Sequence, residues 1–254
     1  MIKAITYLLI FVGIQIVYGS ISEEVCRLLA KMGFAIDEAT TLIIVSAMAS
    51  ITALVVFLCT RWAELSRHWI RTRPWFVLFW CVLAAFGAII PSSWIQEQMP
   101  ELPDWAGTEL DMIMGSRAGY FIIGLLSPFA EEVVFRGAIL RALLDWKKNP
   151  WIGIVISAVI FSAVHMNPAQ MPHAFLIGLL IGWMYYRTNS IIPGVVYHWV
   201  NNTIAYVLFK LYPNSDPTLL EIFDGSQRTV AMALFFSLCI LIPSILQLNI
   251  RMKR

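Results

Sequence analysis

Apolar runs alternate with short polar stretches along the whole chain. Crossing a bilayer as a helix takes about 20 predominantly apolar residues. Segments that approach this length cover residues 4–19, 41–59, 75–90, 120–144, 151–165, 170–186, 191–209 and 230–248. The pattern predicts an all-α polytopic transmembrane helix bundle of about eight spans. Several spans are short, which suits tilted helices that cover one another or end in a polar cavity. No internal repeat, low-complexity tract or long linker interrupts the pattern, so residues 1–254 read as a single integral membrane domain.

Loop charge sets the orientation. Arg61, Arg67, Arg71 and Arg73 lie between the second and third spans, Lys147 and Lys148 between the fourth and fifth, Arg187 after the sixth, and Arg251, Lys253 and Arg254 at the C-terminus. The alternate loops are acidic, with Glu97, Glu101, Asp104, Glu109 and Asp111 in one and Asp216, Glu221 and Asp224 in another. Basic loops stay cytoplasmic, which predicts that both termini are cytoplasmic. A second reading of the first segment is a signal peptide, because Lys3 precedes an apolar run that ends at Tyr18-Gly19-Ser20.

Composition agrees with membrane residence. The chain is 59% hydrophobic and 13% charged, with a mean hydropathy of +0.74; soluble domains carry about 25% charged residues. A multi-pass protein of the cell membrane, with the lipid bilayer as its solvent, follows. The net charge of +2 is too small to suggest a nucleic-acid partner. Cys26, Cys59, Cys81 and Cys239 are scattered singly and read as apolar fillers rather than as a disulfide framework or metal site.

Against this background Glu131, Glu132 and Arg136 stand out inside an apolar segment. A charge near the bilayer centre costs roughly 2.5–3.5 kcal/mol, so such groups normally face a protein interior and serve a purpose there. Two other apolar segments supply His165 and the pair His198 and Asn202. At 1.5 Å per residue, Glu131 and His165 sit about 21 Å from the cytoplasmic ends of their helices, His198 about 16 Å and Asn202 about 22 Å. Polar groups from three helices thus converge on one layer. Glu132 with Arg136, and His198 with Asn202, are spaced i,i+4 and share a helix face.

That set suits water activation. A carboxylate beside an imidazole takes a proton from water and directs it at a carbonyl. A second imidazole with a carboxamide donates to the oxyanion that develops. Glu131, His165 and His198 are also a zinc-like ligand set, and a divalent metal is a candidate cofactor, although the HExxH spacing is absent. Plainer readings stand beside these. Glu132 with Arg136 is a buried ion pair, His165 a helix cap before Asn167-Pro168, and His198 with Asn202 interhelical glue. His68 and His173 match no pattern and read as structural. Gly178 and Gly182 form a close-packing GxxxG face, and Pro128 loosens the helix ahead of Glu131.

Three ordered motifs carry a resemblance: Glu131-Glu132 with Arg136 as EExxxR, Phe161 with His165 as FxxxH, and His198 with Asn202 as HxxxN. The chain resembles the CPBP intramembrane endopeptidases, the type II CAAX prenyl proteases and their bacterial relatives, also called the Abi family. The resemblance covers roughly residues 121 to 208 and places the catalytic helices in 120–209. It implies hydrolysis of a peptide bond in a membrane-associated protein or peptide, with water activated by Glu131 and His165. His198 and Asn202 would stabilise the oxyanion or help hold a metal, and Glu132 and Arg136 would shape the site. The family is described both as metal-dependent and as glutamate-dependent. The short chain without extra domains looks bacterial, which disfavours prenylated tails as substrates. The alternatives are a non-catalytic membrane peptide-binding or bacteriocin-immunity protein, and a proton-coupled carrier, which predicts an internal repeat of broken helices.

Overall fold

The computed structural model describes residues 1–33, 36–64, 69, 74–146, 148–213 and 217–252. Among these, Arg67, Arg71, Arg73, Lys147, Lys253 and Arg254 of the basic stretches are not included, nor are Asp216 and His68. All regular structure in the described residues is helical. The helices are α1 (Ile2–Lys31), α2 (Glu38–Cys59), α3 (Trp75–Glu97), α4 (Gly107–Gly115), α5 (Tyr120–Trp146), α6 (Pro150–Ala163), α7 (Met171–Thr188), α8 (Ile192–Leu211), α9 (Leu219–Ile222) and α10 (Gln227–Arg251).

Each of the eight apolar segments falls largely within one helix, the fifth running two residues past the end of α6. Hydropathy does not anticipate α4 and α9, which are short and lie in polar stretches. Local capping explains α9: Thr218 and Glu221 form a reciprocal capping box. The α2 start is set in the same way, by the Asp37 side chain accepting from the Thr40 backbone N–H at 2.9 Å.

By length and composition four helices suffice to cross a membrane: α1, α2, α3 and α10. A fifth crossing arises if α4 and α5, bent by 106° at their junction, are taken as one span. That is fewer than the expected eight, and the difference falls on α6, α7 and α8. Helix α6 has only 14 residues, and α7 and α8 carry polar side chains within their apolar runs, among them His173, Arg187, His198 and Asn202.

Helix α5 occupies the middle of the fold. It is π-helical over Tyr120–Leu126 and Glu132–Leu140 and α-helical between and after them. Pro128, which has no N–H to donate, sits just past the first change of winding. Every residue from Glu132 to Leu140 is buried. Helices α1, α2, α6 and α7 pack around this segment, α8 packs on the turns of α5 that precede it, and α3 and α10 pack on each other outside α8. Small residues permit the close approaches. A Cβ on Gly87 of α3 would lie 2.7 Å from the Leu241 nitrogen of α10, and one on Gly178 of α7 would lie 3.0 Å from Ala158 of α6. Phe135 joins the layers, edge-on to Phe11 and to Phe161 with centroids 5.2 Å away in each case.

Basic groups assemble at helix ends. Met1, Lys3, Arg61 and Arg141 line one cleft with Asp145. Arg187 donates to the Met252 and Asn249 carbonyls at 2.9 and 2.6 Å, tying the end of α7 to the end of α10. The four cysteines are free and lie in α1, α2, α3 and α10.

Candidate active site

Glu132 is completely buried on the π-helical segment of α5. Its Oε1 accepts from Arg136 Nη1 at 2.8 Å and faces His198 Nδ1 of α8 at 3.1 Å. The Glu132 carboxylate beside a guanidinium is an acceptor only, so the proton in the second contact belongs to His198 Nδ1. That fixes the tautomer and leaves His198 Nε2 aimed at Glu131, whose Oε2 lies 3.8 Å away. The gap is wider than a hydrogen bond. Glu131 is a quarter exposed whereas Glu132 is sealed, so adjacent carboxylates on one helix have different access to water.

Gly194 explains how α8 comes so close. A Cβ at this position would meet Glu132 Oε2 at 2.7 Å and also collide with Ile181. Arg136 has Nε and Nη2 without hydrogen-bond partners. Its guanidinium lies 4.2 Å over the Phe161 ring, a cation–π contact in a desolvated setting. Phe161 also meets His165 and His198 edge-on at centroid distances of 5.0 and 5.8 Å. One aromatic ring therefore orders the cation and both imidazoles.

His165 lies past the end of α6, in a turn completed by Met166 in the left-handed region at φ 50°. Its Nδ1 is 2.8 Å from the Phe161 carbonyl oxygen, so Nδ1 donates and Nε2 is left as an acceptor. No carboxylate lies within ion-pair distance of His165 among the described residues; Glu131 meets His198 instead. Asn167, fully buried, holds the turn by accepting from the Trp105 N–H at 3.0 Å and donating to Asp104 at 2.7 Å.

Asn202, one turn beyond His198 on α8, donates Nδ2 to the Ile123 carbonyl in the first π-helical segment at 3.0 Å. Its Oδ1 accepts from Asn201. His173 is hydrogen-bonded to Ser92 at 2.6 Å and to Asn201 at 3.3 Å. Motif reading passed over Asn201 and His173. The available signal was a polar side chain inside an apolar segment, the same one that marks Glu131.

The predicted residues thus come from three helices to one region, with His198 between the two glutamates and His165 across the Phe161 ring. Among the described residues no group of three or more His, Cys, Asp or Glu side chains is arranged to hold a metal ion. Glu131, His165 and His198 as placed do not make a metal centre. An apolar cleft of about 590 Å³ lies elsewhere, lined mainly by α3, α7 and α10, with Ser92, His173 and Tyr197 on its wall.

Comparison with known proteins adds a family resemblance over part of the chain. The profile described as "Type II CAAX prenyl endopeptidase Rce1-like" matches residues 114–204, a stretch that contains all three motifs. Two bacterial proteins are similar over part of their length. The chain is 32% identical over 107 residues to one named "Putative membrane peptidase YdiL" from Bacillus subtilis, covering 41% of this chain and 42% of that protein. It is 29% identical over 92 residues to "UPF0177 protein YxdF" from Lactococcus lactis, covering 36% and 50%. The matches span half or less of these relatives. No solved structure matches the chain. The resemblance to type II CAAX prenyl endopeptidases holds at family level over the motif-bearing helices, and with its apolar helices the protein is a multi-pass membrane protein.

Proposed function

We propose that this protein is an intramembrane endopeptidase that hydrolyses a peptide bond of a membrane-associated protein or peptide. The observation that carries the proposal is His198, held by buried Glu132 at 3.1 Å and turned toward partly exposed Glu131 at 3.8 Å. Glu131 is the water-activating base. The acceptor Nε2 of His165 helps orient the water. Glu131 takes one proton, the water oxygen bonds to the carbonyl carbon, and the resulting oxyanion faces His198. When protonated on both nitrogens, His198 donates Nδ1–H to Glu132 and Nε2–H to the oxyanion. The Asn202 N–H not engaged by Ile123 is the second donor. Collapse breaks the C–N bond, and the leaving amine takes the proton from Glu131. Alternation of basic and acidic loops supports cytoplasmic termini for the same molecule.

The test is cleavage of membrane peptides by purified protein in nanodiscs, read by mass spectrometry. Glu131→Gln is expected to lower the rate by about 10²–10⁴-fold while leaving the unfolding transition in place. A Glu131→Gln protein that cleaves as fast as the parent ends the proposal.

A further inference from the structure

Outside the motifs, a polar chain crosses the bundle through groups assigned no part above. Ser92 of α3 meets His173 Nδ1 of α7 at 2.6 Å, and His173 Nε2 meets Asn201 Nδ2 of α8 at 3.3 Å. The same Asn201 nitrogen lies 3.3 Å from Asn202 Oδ1. An amide nitrogen has two hydrogens and no acceptor capacity, so Asn201 donates to both. His173 Nε2 is therefore an acceptor and Nδ1–H donates to Ser92. A serine hydroxyl accommodates either role, so Asn201 sets the tautomer of the ring.

The consequence reaches Asn202. With Oδ1 committed to Asn201, its amide can only turn Nδ2 toward the Ile123 carbonyl, 3.0 Å away. Without the acceptor at His173, Asn201 loses the anchor that selects one of its two amide orientations. The flipped orientation sets two amide oxygens against each other and releases Asn202.

We propose that His173 is a positioning residue, acting through Asn201 to hold the Asn202 amide in the orientation that directs its free N–H at the site. This rests on the hydrolase proposal for its effect on turnover, but not for its effect on Asn202 itself. The two ends of the ring can be replaced separately. His173→Gln reaches far enough to offer an amide oxygen to Asn201, whereas the shorter His173→Asn retains a donor for Ser92 and does not reach Asn201.

The experiment measures both variants in nanodiscs by peptide turnover and by the side-chain amide ¹⁵N resonance of Asn202. His173→Asn is expected to lower kcat by about tenfold with KM unchanged and to shift the Asn202 resonance. His173→Gln is expected to restore most of the rate and the parent resonance. Equal turnover and an unmoved Asn202 resonance in both variants would overturn the inference. If the parent protein cleaves nothing, the hydrolase proposal fails and the Asn202 resonance alone decides this one, because it reads the amide directly.

Discussion

Removing Arg136 is the sharpest test of how the site is held. Arg136 is 1% exposed and its partner Glu132 is fully buried, at 2.8 Å. Arg136→Met keeps the apolar stem and deletes the charge, leaving the carboxylate with His198 alone. Breaking a buried pair from one side costs about 3–5 kcal/mol, because the surviving charge is uncompensated. The loss should fall near the lower limit, since Nε and Nη2 of Arg136 have no partners to forfeit. An internal control is Arg27 with Glu24, a pair at 2.6 Å whose side chains are 61% and 55% exposed; Arg27→Met should cost about 0–1 kcal/mol. Equilibrium unfolding in mixed micelles, followed through the ten tryptophans, resolves the two. Three kcal/mol changes the folded-to-unfolded ratio more than 100-fold, at about 1.4 kcal/mol per decade. Adding Glu132→Gln to Arg136→Met removes the orphaned charge and should recover most of the stability but not the activity. If Arg136→Met is no more destabilising than Arg27→Met, the guanidinium is not what keeps Glu132 in place.

Two further outcomes follow from local geometry. Gly194→Ala should cost about 1–3 kcal/mol by overpacking and lower cleavage by about 10²-fold through displacement of Glu132; a variant with parental turnover would show that α8 has room to spare. Outside the membrane-spanning helices, hydrogen bonds from the backbone and then the hydroxyl of Thr218 hold the Glu221 carboxyl below its ordinary pKa. A depressed carboxylate contributes its full stabilisation above the unfolded value of about 4.3, and the contribution is lost as pH falls through the lower folded value. Amide exchange at Glu221, corrected for intrinsic rates, should therefore show protection that is flat at neutral pH and falls in acid; protection that rises in acid refutes the cap.

Hydropathy was enough to find eight of the helices, because a lipid-facing or buried helix must be apolar along its length. It could not say which of them span. Helix α6 reads as a span only when its apolar run is extended to His165, whereas the backbone leaves helical geometry after Ala163. Depth counting brought Glu131, His165, His198 and Asn202 toward one layer but did not say which imidazole lies beside Glu131, a place His198 takes at 3.8 Å. The reason is winding: a count at 1.5 Å per residue assumes an α-helix, and α5 is π-helical on both sides of Glu131. The contacts of Phe161 and Gly194 were hidden for another reason. Both are three-dimensional close approaches, and neither residue is unusual in an apolar sequence.

The π-wound stretch from Tyr120 to Leu126 makes the length of α5 a fixed quantity. Deleting one residue there, with the winding otherwise kept, would rotate everything downstream by roughly a quarter turn relative to the first turn. Tyr120, hydrogen-bonded to Trp199 and Thr203 of α8 at 3.0 and 3.1 Å, would keep its end of the helix docked while Glu131 swung toward a different neighbour. Point substitutions in this stretch can be absorbed one side chain at a time, whereas a change of chain length cannot.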